Sequence, residues 1–174
     1  MHKKIRPVNR LDKDTSGLVI FAKNEYIQEN LIKQMKSSIF KKKYIALLEG
    51  ILEEKSGIIN APIARKAESI IEREVNFKNG QEAFTIFNVL KEYNNISLVE
   101  FKLKTGRTHQ IRVHSKYINH PIIGDTLYNN PSEFINRQAL HAYKIEFIHP
   151  ITKKKMSFET KIPKDISNII NNYN

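Results

Sequence analysis

The chain reads as an α+β fold: a mixed, largely antiparallel β-sheet with flanking helices. Strand-like segments outnumber helical ones along the sequence. Adjacent strand segments are mostly joined by short turns, so strands and helices do not alternate as a parallel sheet requires. With 174 residues, 40% of them hydrophobic, there is material for one core and hardly for two. No repeat, low-complexity linker or composition break divides the chain, so residues 1–174 read as a single domain.

Each element has a local reason. Residues 18–23, LVIFAK, are apolar, β-branched and aromatic on both faces, which predicts a strand held between two layers. Glu25 to Met35 has helical spacing with acids near its start. Lys42 to Glu49 predicts a strand that stops at Gly50. Glu72–Phe77 and Ala83–Leu90 flank Asn79-Gly80, a favoured tight-turn pair, and predict a hairpin. Ile96 to Lys104 alternates as a strand, and Thr108 to Ile118 predicts a helix with Thr108 as N-cap. HPIIGD at 120–125 reads as a turn, and residues 128–137 as a polar, mobile loop. Strands at His141–Ile148 and Met156–Lys161 and a short helix at Asp165–Asn172 complete the chain.

Charge is the strongest global signal. Lys and Arg number 29 against 18 Asp and Glu, a net charge of +11, which favours a polyanionic partner, chiefly nucleic acid. The competing explanation is a composition rich in Lys, Asn and Ile throughout, but the cations gather in islands: FKKKY (40–44), KTGRTHQIR (104–112) and TKKKM (152–156). Cysteine is absent, which removes disulfides and thiolate metal sites. No apolar run approaches the roughly 18 residues of a membrane span, and Met1 to Lys4 lead into no apolar signal region. A soluble, cytoplasmic protein is the expectation.

Few residues offer chemistry. Asp12 and Asp14 are two apart, so in extended chain they face opposite ways and do not flank one bond as a glycosidase pair does. Asp14 before Thr15-Ser16-Gly17 suits an Asx turn. Asp12 alone is more often an ion-pair partner than a catalyst. His109, His114, His120 and His141 have no metal-ligand spacing, and isolated Gly106 and Gly124 make no phosphate-cradling loop. No metal and no nucleotide cofactor is therefore expected. Arg107 stands just before a helix start, where free backbone N–H groups favour an anion. His109, Arg112 and Lys116 share one helical face. Lys116 reads as solvated. Arg112, between Ile111 and Val113, reads as half-buried and in need of a carboxylate, with Asp12 one candidate.

Four stretches together resemble the RluA family of RNA pseudouridine synthases. RLDKDTSGLVIFAKN (10–24) resembles its Arg-Leu-Asp-x-x-Thr-Ser-Gly motif, and KKYIALLEG (42–50) its Lys-x-Tyr motif. LKTGRTHQIRVHSKYINHPIIGDTLY (103–128) resembles its third signature, and LHAYKIEFIHP (140–150) its closing strand. The resemblance implies the pseudouridine synthase catalytic-domain fold and a cofactor-free isomerisation of a uridine in structured RNA, ribosomal or transfer. It places the catalytic carboxylate on Asp12, the aromatic that packs on the base on Tyr44, and the cation paired with the carboxylate on Arg112. Arg107 is the alternative for the pairing role, and the other arginine would then bind phosphate. Arg10, Lys42, His109 and Ile111 are the further substrate-binding residues it implies. Asn9 departs from the His that the family usually carries there. The family also usually carries tens of residues upstream, so the chain reads as N-terminally truncated relative to it, with an open sheet edge. Two other functions stand beside this one. The first is an RNA-binding protein of the same fold, inactive for want of the upstream segment. The second is an unrelated hydrolase using Asp12, which would release free uracil. The sequence says nothing of oligomeric state.

Overall fold

The computed structural model describes residues 4–173. In chain order it forms β1 (Arg6–Pro7), β2 (Ser16–Gly17), β3 (Phe21–Ala22), α1 (Glu25–Lys36), β4 (Lys41–Glu49), β5 (Ser56–Asn60), β6 (Ile63–Arg65) and β7 (Arg73–Val75). These are followed by β8 (Phe84–Tyr93), β9 (Ile96–Leu103), α2 (Gln110–Tyr117), β10 (Leu140–Ile148), β11 (Lys155–Glu159) and α3 (Lys164–Asn172). The main sheet runs β11-β10-β4-β9-β8-β5, with β2 joined to β10. Every pairing along that path is antiparallel, and β2 with β10 is parallel. The expected α+β class and mixed, largely antiparallel sheet are what the chain forms.

β4 is the axis of the domain. Tyr44, Ala46 and Leu48 alternate with Ile45 and Leu47, and all five are buried, so both faces of the strand are covered. Leu47 and Leu48 have no exposed surface, and truncating either to Ala costs about 2–5 kcal/mol. The main core joins these residues to Val99 and Phe101 of β9, Ile111 of α2, and Ile166 and Ile169 of α3. A second cluster packs Leu31 of α1 against Ile145 and Phe147 of β10, with Val8 and Ala22. Asn24 caps α1, its Oδ1 accepting from the Ile27 N–H at 2.9 Å.

Three expectations are corrected. The apolar run at 18–23 is not one strand. Ser16–Gly17 pairs with β10, Phe21–Ala22 pairs with β1, and the chain changes partner in between. Val19 and Phe21 are exposed. The hairpin across Asn79-Gly80 does not form: β7 pairs with β6, while β8 pairs with β5 and β9. The turn signal is absorbed by Asn76, whose Oδ1 accepts from the N–H of Lys78 and Asn79. Finally, α2 begins two residues later than expected, and its N-cap is His109 rather than Thr108. The loop at 128–137 also proves less polar than its composition, because it buries Tyr128 and Ile135.

Candidate active site

The Asp12 loop connects β1 to β2. Thr15 N–H donates to the Asp12 carbonyl at 3.0 Å, closing a turn in which Asp14 has φ 66°. Among the described residues the Asp14 carboxylate accepts no hydrogen bond, so the expected Asx turn is absent. From the far end of the chain, Gln138 donates Nε2 to the Lys13 carbonyl and the Thr15 hydroxyl, at 2.6 and 3.0 Å. Arg137 reaches the Asp14 carbonyl and ties the loop to Asp165 of α3. Gly17 has φ +126°, and a Cβ there would lie 2.3 Å from the Ala142 carbonyl oxygen. Only glycine lets this turn approach β10 so closely. Asn9 is buried and bridges the break between β2 and β3, donating to the Leu18 carbonyl and accepting from the Ile20 N–H. An uncharged amide serves both bonds.

The turn before α2 is fixed by one side chain. Gln110, buried, accepts at Oε1 from the Arg107 N–H and the Thr105 hydroxyl, both at 2.9 Å. Its Nε2 donates to the Phe84 carbonyl and Thr85 Oγ1 of β8. Thr85 in turn meets Nδ1 of His114, whose Nε2 meets the Ala61 carbonyl. Since a carbonyl can only accept, Nε2 carries the proton and Nδ1 accepts from Thr85. Burial holds the His114 pKa below its ordinary value, so the imidazole stays neutral and structural.

These two loops face each other across a cleft of about 490 Å³. Asp12, Lys42, Tyr44, Arg10, Arg107 and Ile111 all line it. Among the described residues the Asp12 carboxylate accepts no hydrogen bond and forms no ion pair. Its charge nevertheless reaches Lys42, Tyr44, His109 and Arg112. Burial lowers the Lys42 pKa, and the charge of Asp12 opposes that shift. Burial first, and the same charge second, raise the Tyr44 pKa well above its ordinary value, which keeps the phenol protonated.

Arg112 and His109 stand behind the cleft rather than on its wall. The Arg112 guanidinium forms a two-pronged pair with Asp125: Nε to Oδ2 at 2.7 Å and Nη2 to Oδ1 at 2.6 Å. The side chains are 7% and 0% exposed. The pairing expected between Asp12 and Arg112 is therefore not formed, nor is one with Arg107, whose Nε donates to the Glu82 carbonyl. Burial would lower the Arg112 pKa, but the bonds to Asp125 and the charges of Asp125 and Asp12 raise it. Arg112 acts on Asp12 as a fixed charge through space.

Tyr128 holds this rear layer together. Arg112 lies 4.9 Å and Lys116 6.0 Å from its ring centroid, and the His109 ring meets it edge-on at 5.6 Å. The Tyr128 hydroxyl accepts from the Arg73 N–H and lies 2.8 Å from His109 Nδ1. Burial pushes the Tyr128 pKa up to about 12. Burial and the charge of Arg112 lower that of His109. His109, Arg112 and Lys116 do share a face, as their spacing implies, but it packs on an aromatic ring.

Sequence reasoning missed Asn9, Gln110, Asp125, Tyr128 and Gln138 as supports of the site. One signal pointed to Asp125. It follows the apolar Ile122-Ile123 and stands thirteen residues from Arg112, so it was as well placed as Asp12 to satisfy a buried guanidinium. Among the described residues no group of three or more His, Asp or Glu is arranged to hold a metal ion. No described helix is long and apolar enough to cross a membrane.

Among the described residues, the cleft thus presents one carboxylate, one aromatic ring and three cations. The family model described as RNA pseudouridylate synthase matches residues 2–117, and the chain belongs to that family. It is 42% identical over 167 residues to the Bacillus subtilis protein described as uncharacterized RNA pseudouridine synthase YjbO, covering 96% of this chain and 59% of that one. It is 38% identical to ribosomal large subunit pseudouridine synthase D of Blochmanniella floridana, covering 94% of this chain and 56% of that one. The chain thus spans somewhat more than half the length of these relatives. Among solved structures, human RNA pseudouridylate synthase domain containing 1 superposes with a TM-score of 0.80 at 27% identity. That match covers 91% of this chain and 69% of the human one.

Proposed function

We propose that the chain is an RNA pseudouridine synthase that isomerises a uridine in structured RNA, with Asp12 as its reactive carboxylate. The observation that carries this is the placement of Asp12. It sits in a 490 Å³ cleft with Tyr44 and three cations, and among the described residues its carboxylate is not hydrogen-bonded. A carboxylate committed to structure would be spent on a partner, as Asp125 is on Arg112.

The reaction moves one bond. The bond from uracil N1 to the sugar C1′ breaks, the base turns, C5 bonds to C1′, the proton on C5 leaves and N1 gains one. Asp12 is the nucleophile, at the sugar carbon or the ring, or the base at the 2′ position. The carboxylate interacts through space with the charges of Lys42 and the buried Arg112. A base inside a helix cannot reach Asp12, so the uridine is flipped out, and the Tyr44 ring replaces part of its lost stacking. That contact is worth roughly 1–3 kcal/mol. Because burial holds the phenol protonated, packing is the role this environment supports for Tyr44, ahead of accepting the C5 proton. Arg10, Arg107 and Lys42 take the flanking phosphates, and Ile111 lines the uracil site. Ribosomal RNA is the favoured substrate, a choice supported by the printed name of the Blochmanniella relative.

The inactive RNA-binding alternative draws no support from the relatives described above, each of which is described as a synthase. The test is to incubate the chain with transcribed ribosomal RNA and analyse the digested nucleosides. Pseudouridine formed in place of uridine is the expected product. Free uracil would point instead to a hydrolase, and an unchanged RNA that is nonetheless bound would support the inactive reading.

A further inference from the structure

Two of the three basic islands, separate in sequence, meet in space. Beside the cleft runs a second groove of about 440 Å³, and Met35, Lys42, Leu103, Gly106 and Arg107 line both. Six cations line this groove: Lys36, Lys41, Lys42, Lys102, Lys104 and Arg107. Among the described residues, no carboxylate lines it. Among the described residues, none of the six forms an ion pair. Elsewhere Lys33, Lys43, Lys55, Lys66, Lys144 and Lys155 each pair with a Glu, while other surface lysines, such as Lys78, Lys91 and Lys164, are unpaired among the described residues but not gathered in one groove.

Six like charges around one groove repel one another and destabilise the fold that gathers them, unless a polyanion offsets the repulsion. The groove floor is apolar, with Met35, Phe40 and Leu103. A strand with charged phosphates and flat, largely apolar bases matches both features, and the concave shape suits a strand better than a flat membrane. The groove also opens directly into the cleft over Gly106, where an added Cβ would meet nothing within 4 Å.

We propose that this groove is the track along which the RNA strand leaves the target uridine, each cation neutralising a backbone phosphate. The proposal rests on RNA being the substrate of the cleft. It adds a direction: the strand runs from Asp12 past Lys42 and Arg107 toward Lys36 and Lys41, between the end of α1 and the β9–α2 turn.

The test is the salt dependence of binding to a fluorescein-labelled oligouridine, read by anisotropy. Three variants of the 174-residue chain are compared. One is unchanged. One carries Lys36→Gln, Lys41→Gln and Lys104→Gln, all exposed groove positions. The third carries Lys78→Gln, Lys91→Gln and Lys164→Gln, equally exposed and outside the groove. Each phosphate contact on a single strand contributes a slope of about 0.7 in log K against log salt. The groove variant should lose about 2 units of slope, while the control, with the same net charge, should keep the wild-type slope. Equal slopes in the two variants, or no binding of oligouridine by the unchanged chain, would overturn the track. An Asp12→Asn chain that still isomerises uridine would overturn the reading of the cleft, and it would leave the slope measurement untouched.

Discussion

Replacing Asp125 by Ala strands the Arg112 guanidinium in a place water does not reach. The wild-type pair is bidentate, at 2.6 and 2.7 Å, with side chains 7% and 0% exposed. Removing one partner of such a pair costs about 3–5 kcal/mol, because the remaining charge stays buried and uncompensated. The Leu127 N–H loses its acceptor on Asp125 as well. A loss of that size is about a third to a half of the stability of a chain near 10 kcal/mol, within the usual range of about 5–15. In a domain of this length it lowers the melting temperature by about 6–20 °C. The assay is urea unfolding with linear extrapolation. A double variant, Arg112→Met with Asp125→Leu, removes both charges and should recover most of the loss. If Asp125→Ala costs less than about 1 kcal/mol, as an exposed pair does, the buried pair is not the support described above.

Other expected outcomes are as follows. Gly17→Ala forces a side chain onto the Ala142 backbone at φ +126°, so its unfolding midpoint should fall well below wild type; an unchanged midpoint would mean that the close approach of β2 to β10 is not needed. Stability should also fall in acid. The pKa values of His109, His114 and His141 are each held below the ordinary 6.5 when folded, burial being the largest cause. Below pH 6.5 the unfolded chain therefore binds more protons than the folded one, and stability is lost as pH falls; above it the three contribute nothing. Urea unfolding at about pH 8 and about pH 5 checks this, and equal free energies would contradict three imidazoles held neutral by the fold. At Tyr44, a Phe keeps the stacking face and should hold KM within a few-fold. A Leu loses that face and should raise KM by about 5- to 150-fold, the equivalent of 1–3 kcal/mol. Equal losses for Phe and Leu would show that the hydroxyl matters and the face does not.

The contrast between β4 and the run at 18–23 shows what local pattern carries. β4, β9 and α1 emerge within a residue or two of their expected bounds because strand pattern and helical spacing are written inside each segment. Residues 18–23 have equal β-propensity, yet their pairing is set by β10 and β1, which no local window contains. The Asn79-Gly80 turn signal misled for the same reason, since the partner of β7 lies upstream in β6. At the site, the motif residues Asp12, Tyr44, Lys42, Arg107 and Ile111 do share one cleft. The partner of Arg112 was misread because two carboxylates were available and only the fold could choose between them. Asp125 stands one helix and one turn away, close enough to be captured when the core closes.

The role proposed for the Asp12 carboxylate is tested most directly by tritium release from RNA labelled at uracil C5 by the Asp12→Asn chain. Asn keeps the size of the side chain, removes its charge and nucleophilicity, and turns one acceptor oxygen into an NH2 donor. Release should stay at the no-enzyme background while RNA affinity stays within a few-fold of wild type. Release at the wild-type rate would contradict that role.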